Sequence, residues 1–485
     1  MSEHKPKKTR FIRGTSMMHE DVVTPLHHHN EDDNELLVRV DDRHVRMSCC
    51  EADGFVTEKF DRPELHEAEH VPGGPRGIKR RHVLGGVAAG FGALLAGSAL
   101  PRYSFAAQPE GNQHLLVCVF LRGGFDGLSA VAPLDDAAYL KARPGIGVRP
   151  EQAIALNGQW GLNKNMSSLH ELWTSGDLAI VQGSGAPNVS RSHFQDQASV
   201  ERAAPANVRS GWLGRHLQTS ASSTGTFRGI TVGNSTVLSL SADALNTLAV
   251  SSIKAFDLRT YADEKTKVYV RKTLEEMYGS AGGEAQRQAQ VTFDAIDTLK
   301  RLRADSIQTA AGAKYPDSAW GRGLAEIARL AKAGIGMEVA CIDLGGWDMH
   351  LRLGAASNAN GDFSRRSREF AEGLAAFRAD MGPRWASTTV VTMSEFGRRV
   401  AENGDEGLDH GQGNTMFVLG GGVNGGKVYG SVPSLTSDNL SLGDVPITLD
   451  YRQALSEIVA KKLGNAGKLA EVFPGFTPGQ ALGIV

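Results

Sequence analysis

Five short runs of the chain are apolar almost throughout: HLLVCVFL from His114, LAIVQG from Leu178, MEVACIDL from Met337, STTVVTM from Ser387 and NTMFVLG from Asn414. Continuous rather than alternating hydrophobicity belongs to strands covered on both faces, the condition of a parallel sheet between layers of helix. Between these runs, apolar residues recur at helical spacing: Phe293, Ile296, Leu299 and Leu302; Leu324, Ile327, Leu330 and Ala331; Phe370, Leu374 and Phe377. Short strands alternating with longer helices predict an α/β fold with a largely parallel central sheet. The stretch from about Ser210 to Val268 is richer in Ser, Thr and Gly and loses the rhythm, so it is expected to be an insertion or cap over the sheet.

In open α/β sheets, ligands bind beyond the carboxyl ends of the strands, where loops and helix N-termini converge. The residues just after each run are therefore the candidates for a site. The first run leads into RGGFDG, carrying Asp126. The second leads into GSGAPNVSRSHFQDQ, carrying Ser190, Arg191, Ser192 and His193. The third ends in GGWDMH, with Asp348 and His350, and the fourth in SEFGRR, with Glu395 and Arg398. LDHGQGN, with Asp409 and His410, then enters the last strand. Carboxylate and imidazole without thiolate suit a divalent metal such as Zn, Mn, Mg or Ca. Enough of them at one edge could hold two metals, the usual arrangement for in-line displacement at phosphorus or sulfur. Structural readings compete at each position. Ser192 followed by Gln195 matches a helix capping box, Asp126 between glycines suits a turn, and Glu395 has Arg398 and Arg399 as ready ion-pair partners.

A chain of 485 residues, 41% hydrophobic and 22% charged, can bury a large core. Its formal net charge of -2 leaves no global footprint for nucleic acid or an anionic membrane surface. Four cysteines with no metal or disulfide spacing exclude a cystine scaffold; Cys118 and Cys341 read as small buried hydrophobes, and Cys49 and Cys50 fall in the leader. In KRRHVLGGVAAGFGALLAGSALPRYSFAA, the pair Arg80 and Arg81 precedes a weakly apolar stretch, with Ser104 and Ala106 placed for cleavage. This pattern looks like a twin-arginine signal over residues 79–106, read by the twin-arginine export machinery and leaving no stable membrane insertion after cleavage. Residues 1–78, including His27 to His29, are expected to be a disordered leader or a misassigned start, with the true start near Val71. The mature domain would span 107–485.

The segments FLRGGFDGLSAVAP, LAIVQGSGAPNVSRSHFQDQ, GGWDMH, VVTMSEFGRR and DHGQGN, in this order behind such a signal, together with TLDYRQALSEIV near the C-terminus, resemble the exported domain of unknown function 1501 family. That family is similar to the alkaline phosphatase and sulfatase superfamily. The resemblance implies an alkaline phosphatase-like three-layer sandwich. It implies a metal ligand at Asp126, a hydroxyl nucleophile at Ser190 or Ser192, and further ligands at Asp348 and His350. Glu395 stands at the strand-end acid, Phe396 occupies the place of an expected histidine, and His410 supplies the last imidazole. No sulfatase-type Cys-x-Pro-x-Arg is present, so formylglycine chemistry is not expected.

The sequence reading is thus a periplasmic or secreted metal-dependent hydrolase of small anionic phosphate or sulfate esters. Ser192 or Ser190 would attack, Arg191 or His193 would steady the anion, and Asp126, Asp348, His350, Glu395, Asp409 and His410 would hold the metal. The alternative is an exported binding or assembly protein that keeps the fold without turnover. A plain α/β protein whose polar strand tips only cap helices is a third.

Overall fold

The structure, a computed structural model, describes residues 35–40, 43–48, 114–220, 227–242, 247–253, 263–280, 282–304 and 307–485. The chain divides into two units, Met1–His82 and Val83–Val485. In the first, Glu35–Val40 and Arg43–Ser48 pair antiparallel. These two strands lie within the stretch read above as a disordered leader or a misassigned start. The signal segment 79–106 and the residues around Val71 lie outside the described residues, as do His27 to His29, Cys49 and Cys50.

The second unit is built on a 9-stranded sheet. Its strands are β1 (Leu115–Leu121), β2 (Leu178–Gly185), β3 (Gly229–Val232), β4 (Thr247–Ala249), β5 (Val339–Leu344), β6 (Thr388–Met393), β7 (Asn414–Gly420), β8 (Lys427–Gly430) and β9 (Leu449–Asp450). The order is β8-β2-β7-β6-β1-β5-β3-β4, with β9 pairing with β2. All five apolar runs are strands of this sheet. Alternate residues of β1 enter different cores: Leu115, Val117, Val119 and Leu121 face one, and Leu116, Cys118 and Phe120 the other. Helices Ala319–Lys332 and Asp362–Met381 cover the first face through Leu324, Ile327, Phe370, Leu374 and Phe377; helices Trp212–Thr219 and Tyr451–Lys461 cover the second. The architecture is a three-layer α/β sandwich.

Two features refine the sequence reading. Of the stretch from about Ser210 to Val268, β3 and β4 extend the sheet at one edge instead of capping it. Only 4 and 3 residues long, they lack the apolar run that marks a central strand. The second feature is β7, antiparallel to both neighbours. It is reached from β6 through a segment without a helix, and only an antiparallel neighbour can be reached without a crossover. This reversal matters for the site: the start of β7 lies at the same edge as the ends of β1, β2, β5 and β6.

A buried polar junction ties the layers together. Glu338, just before β5, accepts from His216 Nε2 at 2.8 Å and from Arg228 Nε and Nη2 at 2.9 and 2.8 Å. Asn465 Nδ2 meets the other ring nitrogen of His216 at 3.0 Å. Burial raises the Glu338 carboxyl, but His216 and Arg228 outweigh it and hold the pKa below its ordinary value. A depressed folded-state pKa adds stability above the unfolded value of about 4.3, and that contribution is lost as pH falls through the folded value. Glu338→Gln is therefore expected to cost about 3 kcal/mol at pH 7, where it strands buried Arg228. The gap to wild type should narrow below about pH 4, as measured by urea unfolding across pH.

Candidate metal centre

At the carboxyl edge of the sheet, three histidines point the same ring atom at one carboxylate oxygen. His193 is the first residue of helix His193–Arg202, which comes after β2. Asp348 and His350 come after β5, and His410 precedes β7. From Asp348 Oδ1, the Nε2 atoms of His350, His193 and His410 lie at 3.0, 3.4 and 3.4 Å. The His350 and His410 Nε2 atoms are themselves 2.9 Å apart. His193, Asp348 and His410 each place a ligand atom within 4.8 Å of the others.

Each imidazole is held from behind through Nδ1. His193 Nδ1 meets Glu395 Oε1 at 2.7 Å, His350 Nδ1 meets Asp409 Oδ1 at 3.3 Å, and His410 Nδ1 meets the Arg191 carbonyl at 2.7 Å. Carboxylates and carbonyls only accept, so each Nδ1 carries the proton. In the neutral rings, three Nε2 lone pairs then converge on an anionic oxygen that Arg398 also meets at 2.6 Å, an arrangement suited to a bound cation. Histidine ligands oriented by a carboxylate or carbonyl are the usual support of a bound metal. His193 Nε2 is buried, with the Asp348 carboxylate 3.4 Å away.

The electrostatics agree. Burial opposes the charge of Asp348, but contacts from His193, His350, His410 and Arg398 hold its pKa far below the carboxylate range. Burial also disfavours protonated His193, yet Asp348 and Glu395 raise its pKa to about 9. His410 is lowered, first by burial and then by Arg398 and the other two histidines, although Asp348 opposes the shift. Its neutral form is the one that ligates.

The surrounding loops fix these groups. Arg398, only 2% exposed, donates to the carbonyls of Gly124, Leu408 and Trp347 at 2.7, 2.8 and 3.2 Å, to that of Gly123, and to Asp348 Oδ1 at 2.6 Å. The RGGFDG glycines permit this approach: at φ +111, a Cβ on Gly123 would sit 2.6 Å from the Asp348 nitrogen, and on Gly124 2.6 Å from the Phe396 ring. Phe396, in the place of the expected histidine, is 1% exposed and packs its ring 4.9 Å from His193 and 4.7 Å from His410. It is an apolar wall to the cluster.

The structure brings His193, read above as steadying the anion, beside Asp348 and His410, and it places several other site residues apart from the cluster or behind it. Asp126 does not join the cluster: both of its oxygens bind Arg143, at 2.7 and 3.0 Å, and the pair is buried. Glu395 lies behind His193 and accepts also from the Gly123 N–H at 2.8 Å and Gln197 at 3.0 Å, so its expected partners go elsewhere, Arg398 to Asp348 and Arg399 to Asp444. Asp409 likewise stands behind His350. The Arg191 side chain is bound to Asp444, while its backbone, at φ 62, carries the carbonyl that holds His410. Ser192 is the N-cap residue but makes no side-chain cap bond, so the capping box does not form. Instead Asp196 reaches back to the N–H groups of Ser190 and Arg191 at 3.0 and 2.8 Å and to the Ser190 hydroxyl at 3.0 Å. Sequence reasoning missed Gln197 and took Arg398 only as an ion-pair partner of Glu395; its clamping role depends on carbonyls distant in the chain.

Residues 173–452 match the family described as "Protein of unknown function (DUF1501)". The chain belongs to this family. The match contains the whole cluster, so His193, Asp348, His350 and His410 lie inside the DUF1501 region. No curated protein matches the chain. Among solved structures it is similar to the C-terminal periplasmic domain of EcEptC from Escherichia coli, in complex with Zn, at 9% identity and a TM-score of 0.31, covering 67% of this chain and 77% of that one. It is similar also to the lipoteichoic acid synthase LtaP from Listeria monocytogenes, at 9% identity and a TM-score of 0.30, covering 72% and 78%. A third is the PsFucS1 sulfatase from Pseudoalteromonas sp., at 10% identity and a TM-score of 0.29, covering 73% and 68%. Among the described residues, no helix is long and apolar enough to cross a membrane.

The anchoring of His193 gives a direct expectation. Glu395→Gln keeps the side-chain shape but removes the charge that holds the Nδ1 proton. Affinity for a divalent transition metal should fall about 10–100-fold. Competition against a chelator of known affinity measures this.

Proposed function

We propose that this DUF1501 protein is an exported, metal-dependent hydrolase of phosphate or sulfate esters, working in the periplasm or outside the cell. The observation that carries the reading is the convergence of three Nδ1-anchored imidazoles on the Asp348 carboxylate. Their donor set, imidazole nitrogen with one carboxylate oxygen, suits Zn or Mn better than Mg or Ca, which favour all-oxygen surroundings. His193, Asp348 and His410, with His350 beside them, are the residues that would hold the ion. Such an ion supplies Lewis-acid stabilisation of charge on the ester oxygens.

The chain's own groups have separate tasks. Ser192 directly precedes His193, and its hydroxyl is not spent on capping the helix, which leaves it as the attacking group. Backbone N–H groups at the start of that helix favour an anion nearby. Glu395 and Asp409 keep the protons on the outer nitrogens of His193 and His350. Arg398 fixes Asp348 and Phe396 excludes water from one side of the rings.

The test combines metal analysis of the purified chain with a panel of nitrophenyl phosphates and sulfates. The expected result is bound transition metal and ester hydrolysis that chelation abolishes and metal restores. Ser192→Ala should lower the rate at least about 100-fold while metal is retained. Bound metal with no hydrolysis of any ester favours the binding or assembly role, and a metal-free, inactive protein contradicts both.

A further inference from the structure

Helix His193–Arg202 carries a polar side chain at every fourth position along one face: His193, Gln197 and Glu201. All three are engaged at the carboxyl edge of the sheet. His193 Nδ1 and Gln197 Nε2 both meet Glu395 Oε1, at 2.7 and 3.0 Å. On its other side, Gln197 Oε1 accepts from Arg122 Nη1 at 3.2 Å, and Glu201 Oε1 lies 2.9 Å from Arg122 Nη2. Hydrogen bonds thus run unbroken from Arg122 through Gln197 and Glu395 to His193.

This relay has a fixed direction. A guanidinium only donates and a carboxylate only accepts, so one orientation of the Gln197 amide satisfies both neighbours, its oxygen toward Arg122 and its NH2 toward Glu395. Arg122 is itself held in place. It directly follows β1, its Nε and Nη2 donate to Asp343 of β5 at 2.6 and 3.2 Å, and its guanidinium lies 4.2 Å over the Phe120 ring. The next residue, Gly123, donates its N–H to the same Glu395 oxygen at 2.8 Å. Docking of the helix on the core is supplied by Val200, buried in the second apolar cluster, so the polar face has a separate task.

We infer that Gln197 and Arg122 are positioning residues of the metal centre: acting through Glu395, they hold the His193 ring with Nε2 toward Asp348. The inference rests on the metal-centre reading above and extends it two residues outward from the ligand. A carboxylate behind a histidine orients the ring only as firmly as the carboxylate is itself held.

Zinc binding to the full chain, by competition against a chelator, tests this apart from turnover. Gln197→Met keeps the length and helix propensity of the side chain and gives up both hydrogen bonds. Its zinc affinity should be about tenfold below wild type, the low end of what loss of an orienting group costs. Arg122→Lys keeps a positive charge beside Asp343 and Glu201 without the fork that reaches Gln197, and should lower affinity in the same direction. The readout that a merely structural role does not move is the coupling to Glu395. In a Glu395→Gln background, adding Gln197→Met should change zinc affinity by less than about twofold, because the group it acts through is already lost. Wild-type affinity in Gln197→Met, or a loss that adds in full to that of Glu395→Gln, overturns the inference and leaves the metal centre standing. A wild-type chain that binds no zinc overturns both together.

Discussion

Asp348→Asn is expected to remove the metal ion and with it ester hydrolysis, while the protein still folds. The carboxylate oxygen is where the three Nε2 atoms and Arg398 meet, at 2.6 to 3.4 Å. An amide of the same shape takes away the one negative charge inside that ring and leaves Arg398 to repel a cation. Substitution behind a ligand costs about 10–100-fold in metal affinity, so loss of a ligand should exceed about 100-fold. Arg398 keeps the carbonyls of Gly123, Gly124, Trp347 and Leu408, which preserves the loops. Metal titration and thermal melting on the same sample separate the two effects. A variant that binds metal like wild type contradicts the assignment of Asp348.

Asp126→Asn should do the opposite, destabilising the protein by about 3–5 kcal/mol with the metal retained. Arg143 is fully buried, and beside Asp126 it donates to the carbonyls of Val400 and Arg399, each at 2.8 Å. Without the carboxylate, its charge stays buried with no counter-charge. Denaturant unfolding measures the loss, and metal analysis shows whether the ion remains. Lost metal with nearly unchanged stability would restore Asp126 to the ligand set that the superfamily resemblance implied.

These two aspartates illustrate what can be read along the chain. The strands are legible because burial on both faces leaves uninterrupted apolar runs, and the edge at which they deliver polar residues follows from sheet geometry. Asp348, His350 and His410 can be named as ligands from that alone, and His193 as a site residue, though its place after a strand suggests holding an anion and not a metal. Which acid meets which base cannot. Glu395 and His193 are 202 residues apart, and Arg398 and Asp348 are 50 apart. Such pairings depend on strand order and on the reversal of β7, neither of which hydrophobic pattern encodes. Asp126 lies behind the right strand, but the arginine that claims it, 17 residues on, sits in no pattern that distinguishes a buried clamp from a surface charge. The edge strands β3 and β4 escape detection because they are short and lie in a Ser- and Thr-rich stretch.

The most direct test of the central claim is X-ray diffraction from crystals of the metal-loaded chain at the absorption edge of the bound metal. The account predicts a single anomalous peak among the Nε2 atoms of His193, His350 and His410 and the carboxylate of Asp348, with Arg143 still paired to Asp126. A peak at another place, or imidazoles turned away from Asp348 in the presence of metal, would contradict it.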